Sequence, residues 1–134
     1  MRRDAVSSGT EWEPKVGYSR AVRTGETIRV SGTTATDEDG DVVGVGDAGA
    51  QTRQALSNVV SAVEELGGGV EDVVRTRMYV VDIEEWEAVG EAHGSFFRDV
   101  PVRPASTMVE VSRLVDPELL VEIEAEAVVE PSEG

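Results

Sequence analysis

The sequence predicts an α+β fold: a mixed β-sheet with two helices on one of its faces. Two observations carry that prediction. Leu56, Val59, Val60, Val63 and Leu66, and later Trp86, Val89, His93, Phe96 and Phe97, recur at three- and four-residue spacing, which paints one stripe on a helix. The segment from Leu119 to Val129 instead alternates, with Val121, Ile123, Ala125, Ala127 and Val129 facing one way and Glu122, Glu124 and Glu126 the other. With 134 residues, 40% of them hydrophobic, the chain can bury one core but not two. A single domain over residues 1–134 is expected, its core spanning about 16–129.

The elements follow in order. Residues 1–16 are polar, are broken by Pro14 and predict no element. Ser19–Arg23 and Thr27–Ser31 read as strands around a turn at Gly25. Asp37–Asp41 is an acidic loop, with a short element at Val42-Val43. A helix starts near Asp47–Ala50 and ends after Leu66, where Gly67-Gly68-Gly69 supplies a left-handed cap. Val73–Val81 is a Val-rich strand with Val74, Met78 and Val80 expected on one face. Asp82, with Glu85 three residues on, opens the second helix like a capping box. Pro101 and Pro104 interrupt the chain, Thr107–Arg113 reads as a strand, Asp116-Pro117 as a turn, and Pro131–Gly134 as a tail. Two helices cover only one side of such a sheet, so the bare side predicts a closed homo-oligomer.

Charge narrows the partners. Twelve cations against twenty-seven acids give −15, which repels nucleic-acid phosphates and anionic membrane surfaces. No apolar run approaches the roughly 18–20 residues needed to span a bilayer, and Arg2-Arg3 is followed by no hydrophobic stretch, so a cytoplasmic protein is expected. Lys15 is the only lysine. Abundant acids with almost no lysine read as a device for staying dispersed at high ionic strength, the pattern of a halophilic acidic protein. Cysteine is absent, which removes disulfides, thiolate zinc sites and a cysteine nucleophile.

Four patterns bear on chemistry. Gly44-Val45-Gly46-Asp47-Ala48-Gly49 matches G-x-G-x-x-G. It lacks a long preceding strand, Asp47 would face the phosphates, and the acids about twenty residues on fall inside the helix, so it reads as a loop leading into that helix. His93, the single histidine, lies on an apolar stripe and reads as a packing residue; one imidazole without cysteine builds no ordinary zinc site. No metal and no cofactor are expected. Glu122, Glu124 and Glu126 share a strand face at about 7 Å intervals. If an oligomer covers that face, burial raises the pKa of at least one, which makes Glu122 and Glu124 candidates for handling a proton or a water. Among the arginines, which bind carboxylates through two donors at once, Arg75, Arg77 and Arg113 read as partners of neighbouring glutamates. Arg103, between two prolines, is the one left over.

The order of motifs resembles the RidA/YjgF (reactive intermediate deaminase) family over about residues 16–129. The resemblance rests on Gly17-Tyr18-Ser19, Ser31-Gly32-Thr33, Gln51 through Asn58, Trp86-x-x-Val89 with Phe96-Phe97, Val109-Glu110-Val111, Leu114, and Val121-Glu122-Ile123-Glu124-Ala125. It implies a chorismate-mutase-like subunit assembled as a homotrimeric barrel, with small-molecule sites in clefts between subunits. It further implies cofactor-free hydrolysis of enamine or imine intermediates to 2-oxo acids and ammonia. Glu122 matches the residue that positions water, and Tyr18 matches the cleft tyrosine. Ser31, Gly32, Thr33 and Gly90 stand at cleft positions, as do Ser106 and Met108, with Arg103 as a displaced anchor. Arginine-bearing members carry arginine three positions before V-E-V, where this chain has Ser106. Gly90 stands for Asn, His93 for an aromatic and Thr33 for Gln, a pattern resembling the arginine-lacking subgroups. A non-catalytic metabolite-binding module using the same cleft is the alternative, and ribonuclease action is disfavoured by the charge. The acidic composition predicts a melting temperature that climbs from dilute buffer to molar KCl; a salt-independent value in a thermal melt would contradict it.

Overall fold

The structure is a computed structural model that describes residues 2–131, so most of the predicted tail lies outside the described residues. One six-stranded sheet runs through the chain in the order β1-β2-β3-β6-β4-β5. The strands are β1 (Arg3–Val6), β2 (Ala21–Thr24), β3 (Thr27–Thr33), β4 (Val73–Val80), β5 (Ala105–Glu110) and β6 (Val121–Val128). Among the described residues three α-helices accompany them: a short α1 (Trp12–Val16), then α2 (Ala48–Glu65) and α3 (Trp86–Phe97). All neighbours are antiparallel except β4 and β5, whose parallel pairing is made by the crossover through α3.

β6 lies at the centre, flanked by β3 and β4. Val121, Ile123, Ala125 and Ala127 are buried against α2 and its neighbours, and the glutamates between them face the other way. α2 buries Ala55, Leu56, Val59, Ala62 and Val63 on the sheet and packs α3 alongside through Val89 and Phe97. Both predicted helices thus sit on one face. Asp47 caps α2 by accepting from the Ala50 N–H at 3.0 Å. Gly67 closes it at φ 95°, and the Arg23 guanidinium takes the Leu66 carbonyl at 2.7 Å. The loop from Gly44 to Gly49 is the start of α2, with Gly44 and Gly46 at positive φ.

Two polar residues of α2 staple loops to the core. Gln51 is fully buried: its amide donates to the Glu118 carbonyl at 2.8 Å and the Gly44 carbonyl at 3.3 Å, while its oxygen accepts from the Leu120 N–H at 2.8 Å. Asn58 donates to the carbonyls of Thr34 and Thr36 at 3.1 and 2.9 Å.

Five local expectations change. The N-terminal segment, read as structureless, forms β1 on the sheet edge and α1 after it. Their anchor is Glu13, 4% exposed, whose carboxylate accepts from the Ser8 N–H at 3.0 Å and the Ser8 hydroxyl at 2.5 Å. Burial by itself would raise that carboxyl, but the Ser8 bonds outweigh it and hold its pKa below the ordinary range. The Val42-Val43 element is a single bridge between Thr36 and Val42. In β4 a bulge between Val73 and Arg75 breaks the alternation, so Val73 is buried and Val74 is exposed instead of joining Met78 and Val80. Asp82 caps a single 3₁₀ turn before α3, leaving Trp86 more than half exposed rather than on the buried stripe. The strand expected at Thr107–Arg113 is Ala105–Glu110; the Val111 N–H still reaches the Val80 carbonyl at 2.8 Å, and then the chain leaves the sheet.

Gln51→Leu strips the Leu120 N–H and the Glu118 carbonyl of their side-chain partner, and the expected loss is about 2 kcal/mol in urea unfolding. Arg53→Ala, on the exposed side of the same helix, changes stability by less than about 0.5 kcal/mol in the same measurement.

Candidate functional site

The face of the sheet away from α2 and α3 is built by alternation. β6 contributes Glu122, Glu124 and Glu126; β4 contributes Arg75, Arg77 and Tyr79; β3 contributes Arg29. In register, Tyr79 lies opposite Glu122, Arg77 opposite Glu124, and Glu126 between Arg75 and Arg29. Opposite charges therefore face one another across the strands. Arg77 bridges Glu124 at 3.5 Å and Glu126 at 3.7 Å, as expected of it. Among the described residues Arg75 does not pair with a glutamate: it donates to the Thr107 hydroxyl at 3.2 Å, and its Nε is buried without a partner there. Tyr79 donates its hydroxyl to Glu124 at 2.7 Å, and that bond, with burial, raises the phenol pKa.

Glu122 differs from its two neighbours on the strand. Where a bulge between Val30 and Thr33 displaces the β3 register, its carboxylate lies over Gly32. A Cβ on Gly32 would stand 2.5 Å from Glu122 Oε2, so glycine is the side chain that makes room for this carboxylate. Burial pushes the Glu122 pKa up, Arg20 pulls it back, and the charge of Glu124 pushes it further up. The net direction is upward, within one chain and without any partner subunit.

Arg20 was not singled out in the sequence. Its guanidinium donates to the Gly32 carbonyl at 2.6 Å, lies 6.0 Å from the Tyr18 ring centroid, and keeps a buried Nε without a partner. Arg20 therefore ties Tyr18 and Gly32 to the Glu122 carboxylate. Its place immediately after Gly17-Tyr18-Ser19 was the available signal. Ser31 donates to the Ser19 carbonyl at 2.7 Å, and Thr33, buried, donates to the Ser31 carbonyl at 2.7 Å. Tyr18, Ser31, Gly32, Thr33 and Glu122 thus belong to one neighbourhood, with Tyr18 partly open to solvent.

The remaining predicted residues lie elsewhere. Ser106 and Met108 pair with Thr76 and Met78, which face the helices, so both are on the opposite side of the sheet from Glu122. Gly90 is on α3, one turn before His93, and a side chain there would meet open space. Arg103 is exposed and donates its Nε–H to the Arg98 carbonyl at 3.1 Å, next to the end of α3. His93 packs on Phe97 at 4.7 Å between ring centroids, and burial lowers its pKa. A cavity of about 190 Å³ between Gly46, Ala48, Val80, Asp82, Glu85 and Val89 touches none of the predicted site residues. Among the described residues, Asp37, Asp39 and Asp41 have carboxylate oxygens within 4.8 Å of one another, and Asp37 accepts from the amides of the other two. Their exposed oxygens fit a loop that caps itself.

Residues 9–129 match the family described as Endoribonuclease L-PSP. The 3-aminoacrylate deaminase RutC of Acinetobacter baylyi is 34% identical over 110 residues, 82% of this chain and 85% of its own. A protein of Streptomyces coelicolor is 41% identical over 122 residues, 91% of this chain and 89% of its own. The crystal structure of Rv2704 from Mycobacterium tuberculosis, described as a member of the YjgF/YER057c/UK114 family, superposes with a TM-score of 0.86. Its identity is 49%, covering 96% of this chain and all of that one.

A carboxyl whose pKa is raised by folding favours the native state while it is protonated, so its contribution falls as pH rises through the raised value. Glu122→Gln is therefore expected to raise the urea midpoint at pH 7, with the gain fading as pH drops below the ordinary glutamate range. A variant less stable at pH 7 and indifferent to pH would contradict the assigned burial.

Proposed function

Because the chain belongs to the RidA/YjgF family and has its chorismate-mutase-like α+β fold, we propose that it is a cofactor-independent hydrolase of small enamines or imines, working in clefts between the subunits of a homotrimer. The observation that carries this reading is the division of the candidate site. Glu122 and Tyr18 lie on the open face, while Ser106 and Met108 lie on the helix side of the edge strand β5. A small molecule cannot touch both in one chain, so a complete site needs the β5 edge of a second copy laid against the open face of the first.

The chemistry asked of Glu122 is modest. Water adds to the imine carbon while the carboxylate takes one of its protons and passes it to the imine nitrogen, giving a carbinolamine. The carboxylate then takes the carbinolamine hydroxyl proton and delivers it to the amine as the C–N bond breaks, so that a carbonyl and ammonia are released. A carboxylate made more basic by burial is better suited to take that proton than one at its ordinary pKa. The Arg20 charge opposes that rise, and Tyr18, beside Arg20, walls the same spot. The name of the Acinetobacter relative, a 3-aminoacrylate deaminase, points to small enamines as the substrate class.

Sedimentation at the salt of the native fold is expected to give three times the 14.3 kDa chain mass. Mixing the assembled protein with freshly generated 2-aminoacrylate or 3-aminoacrylate is expected to release the oxo acid faster than buffer. Glu122→Gln is expected to lower that rate about 100-fold or more. Strong thermal stabilisation by 2-oxo acids without turnover would instead make the cleft a binding module, and a lone 14.3 kDa particle would remove the cleft altogether.

A further inference from the structure

Glu122 leaves unexplained a second polar group on the other side of the sheet. Thr76 is fully buried among Met78, Val80 and the helices, a place where valine has the same shape and no cost of burying a hydroxyl. Its hydroxyl has two partners: His93 Nε2 at 2.9 Å and Ser106 Oγ at 2.8 Å. Separate elements hold the three in line. Ser106 sits opposite Thr76 in the parallel β4–β5 pair, and His93 comes from α3 with its ring fixed against Phe97. The inner end is an imidazole, the middle is sealed, and the outer end, Ser106, is exposed on the edge strand.

A hydroxyl carries one proton, so this row has a direction. With the imidazole proton on Nδ1, Nε2 accepts from Thr76, Thr76 accepts from Ser106, and Ser106 turns only lone pairs outward. With the proton on Nε2, His93 donates to Thr76, Thr76 donates to Ser106, and the Ser106 hydroxyl proton is free to point outward. Thr76 is satisfied either way. Burial lowers the His93 pKa, so the ring is neutral near pH 7 and both tautomers are open to it.

We propose that Ser106, Thr76 and His93 form a reversible hydrogen-bond relay that binds an uncharged polar group of the ligand, as donor or as acceptor, at the β5 wall of the inter-subunit cleft. This rests on the reading that the cleft is the ligand site. The contact is neutral, and Arg103, the arginine that precedes it in the chain, is held by the Arg98 carbonyl. A hydroxyl returns much less to a desolvated carboxylate than a guanidinium does. The relay therefore selects an amide, imine or alcohol over a free carboxylic acid at this end.

The single histidine makes the test clean, because the imidazole gives one set of ¹⁵N signals. With the assembled full chain, pyruvamide and pyruvate serve as the neutral and anionic probes in calorimetry. Pyruvamide is expected to bind about tenfold tighter than pyruvate, and to shift the His93 ring nitrogens although it touches only Ser106. Ser106→Ala and Thr76→Val are each expected to weaken pyruvamide about fivefold, and Thr76→Val to abolish the ¹⁵N response, while Thr76→Ser restores both. Pyruvate binding as tightly as pyruvamide, a silent His93 signal in the wild type, full affinity in Ser106→Ala, or no binding of either probe to an intact trimer would each overturn the relay. Loss of turnover in Glu122→Gln alongside an unchanged Ser106→Ala overturns the relay alone. A chain that stays monomeric overturns the functional reading beneath it.

Discussion

The alternation of β6 is the constraint on which the rest depends. This strand is central, so every side chain on it must answer to a neighbour on both sides. Its inward set is aliphatic and closes the core; its outward set is three carboxylates in a row. A slip of one residue would send the glutamates into the core beneath α2, at a cost of several kcal/mol for each buried charge, so register is fixed. That same certainty of register places Glu122 beside Gly32 on one flank and Tyr79 on the other.

Three equivalent glutamates on a strand end up with unequal surroundings. Glu124 receives a hydroxyl and a guanidinium, and Glu126 shares that guanidinium. Glu122 receives neither at hydrogen-bonding distance; it has the bare backbone of Gly32, with Arg20 behind it on the Gly32 carbonyl. A carboxylate with satisfied lone pairs is a structural group. One that is half-buried with lone pairs to spare has its pKa raised, and Glu122 is in the second condition.

What could be read in the sequence was what local periodicity controls. β6 and α2 are legible because their patterns, at periods of 2 and 3.6, are long and unbroken, and Asp47 and Gly67 mark the helix ends by their own chemistry. Glu122 was legible for the same reason. The N-terminal strand and α1 were not, because they hang on one buried acid, Glu13, whose burial looks like nothing in a chain so rich in acids. The bulge at Val73–Arg75 is invisible among repeated valines, since either residue fits the core equally well. Arg20 and the row His93–Thr76–Ser106 depend on register between distant segments: the latter needs a parallel pairing across thirty residues, which no local pattern encodes.

The endoribonuclease in the family description asks for a different surface. Cleaving RNA requires a polyanion to lie along the site, and a chain at −15 repels each successive phosphate. Phosphodiester transfer also needs an acid and a base on either side of the phosphorus. The one imidazole is on the far side of the sheet from Glu122 and bonded to Thr76, and the one lysine lies over Trp12 on α1. A molecule with a few heavy atoms and at most one charge meets neither obstacle. It pays the electrostatic penalty once rather than at every residue of a strand, and one basic carboxylate is all the chemistry it needs. The charge and the placement of titratable groups thus support the proposed small metabolite over a nucleic acid.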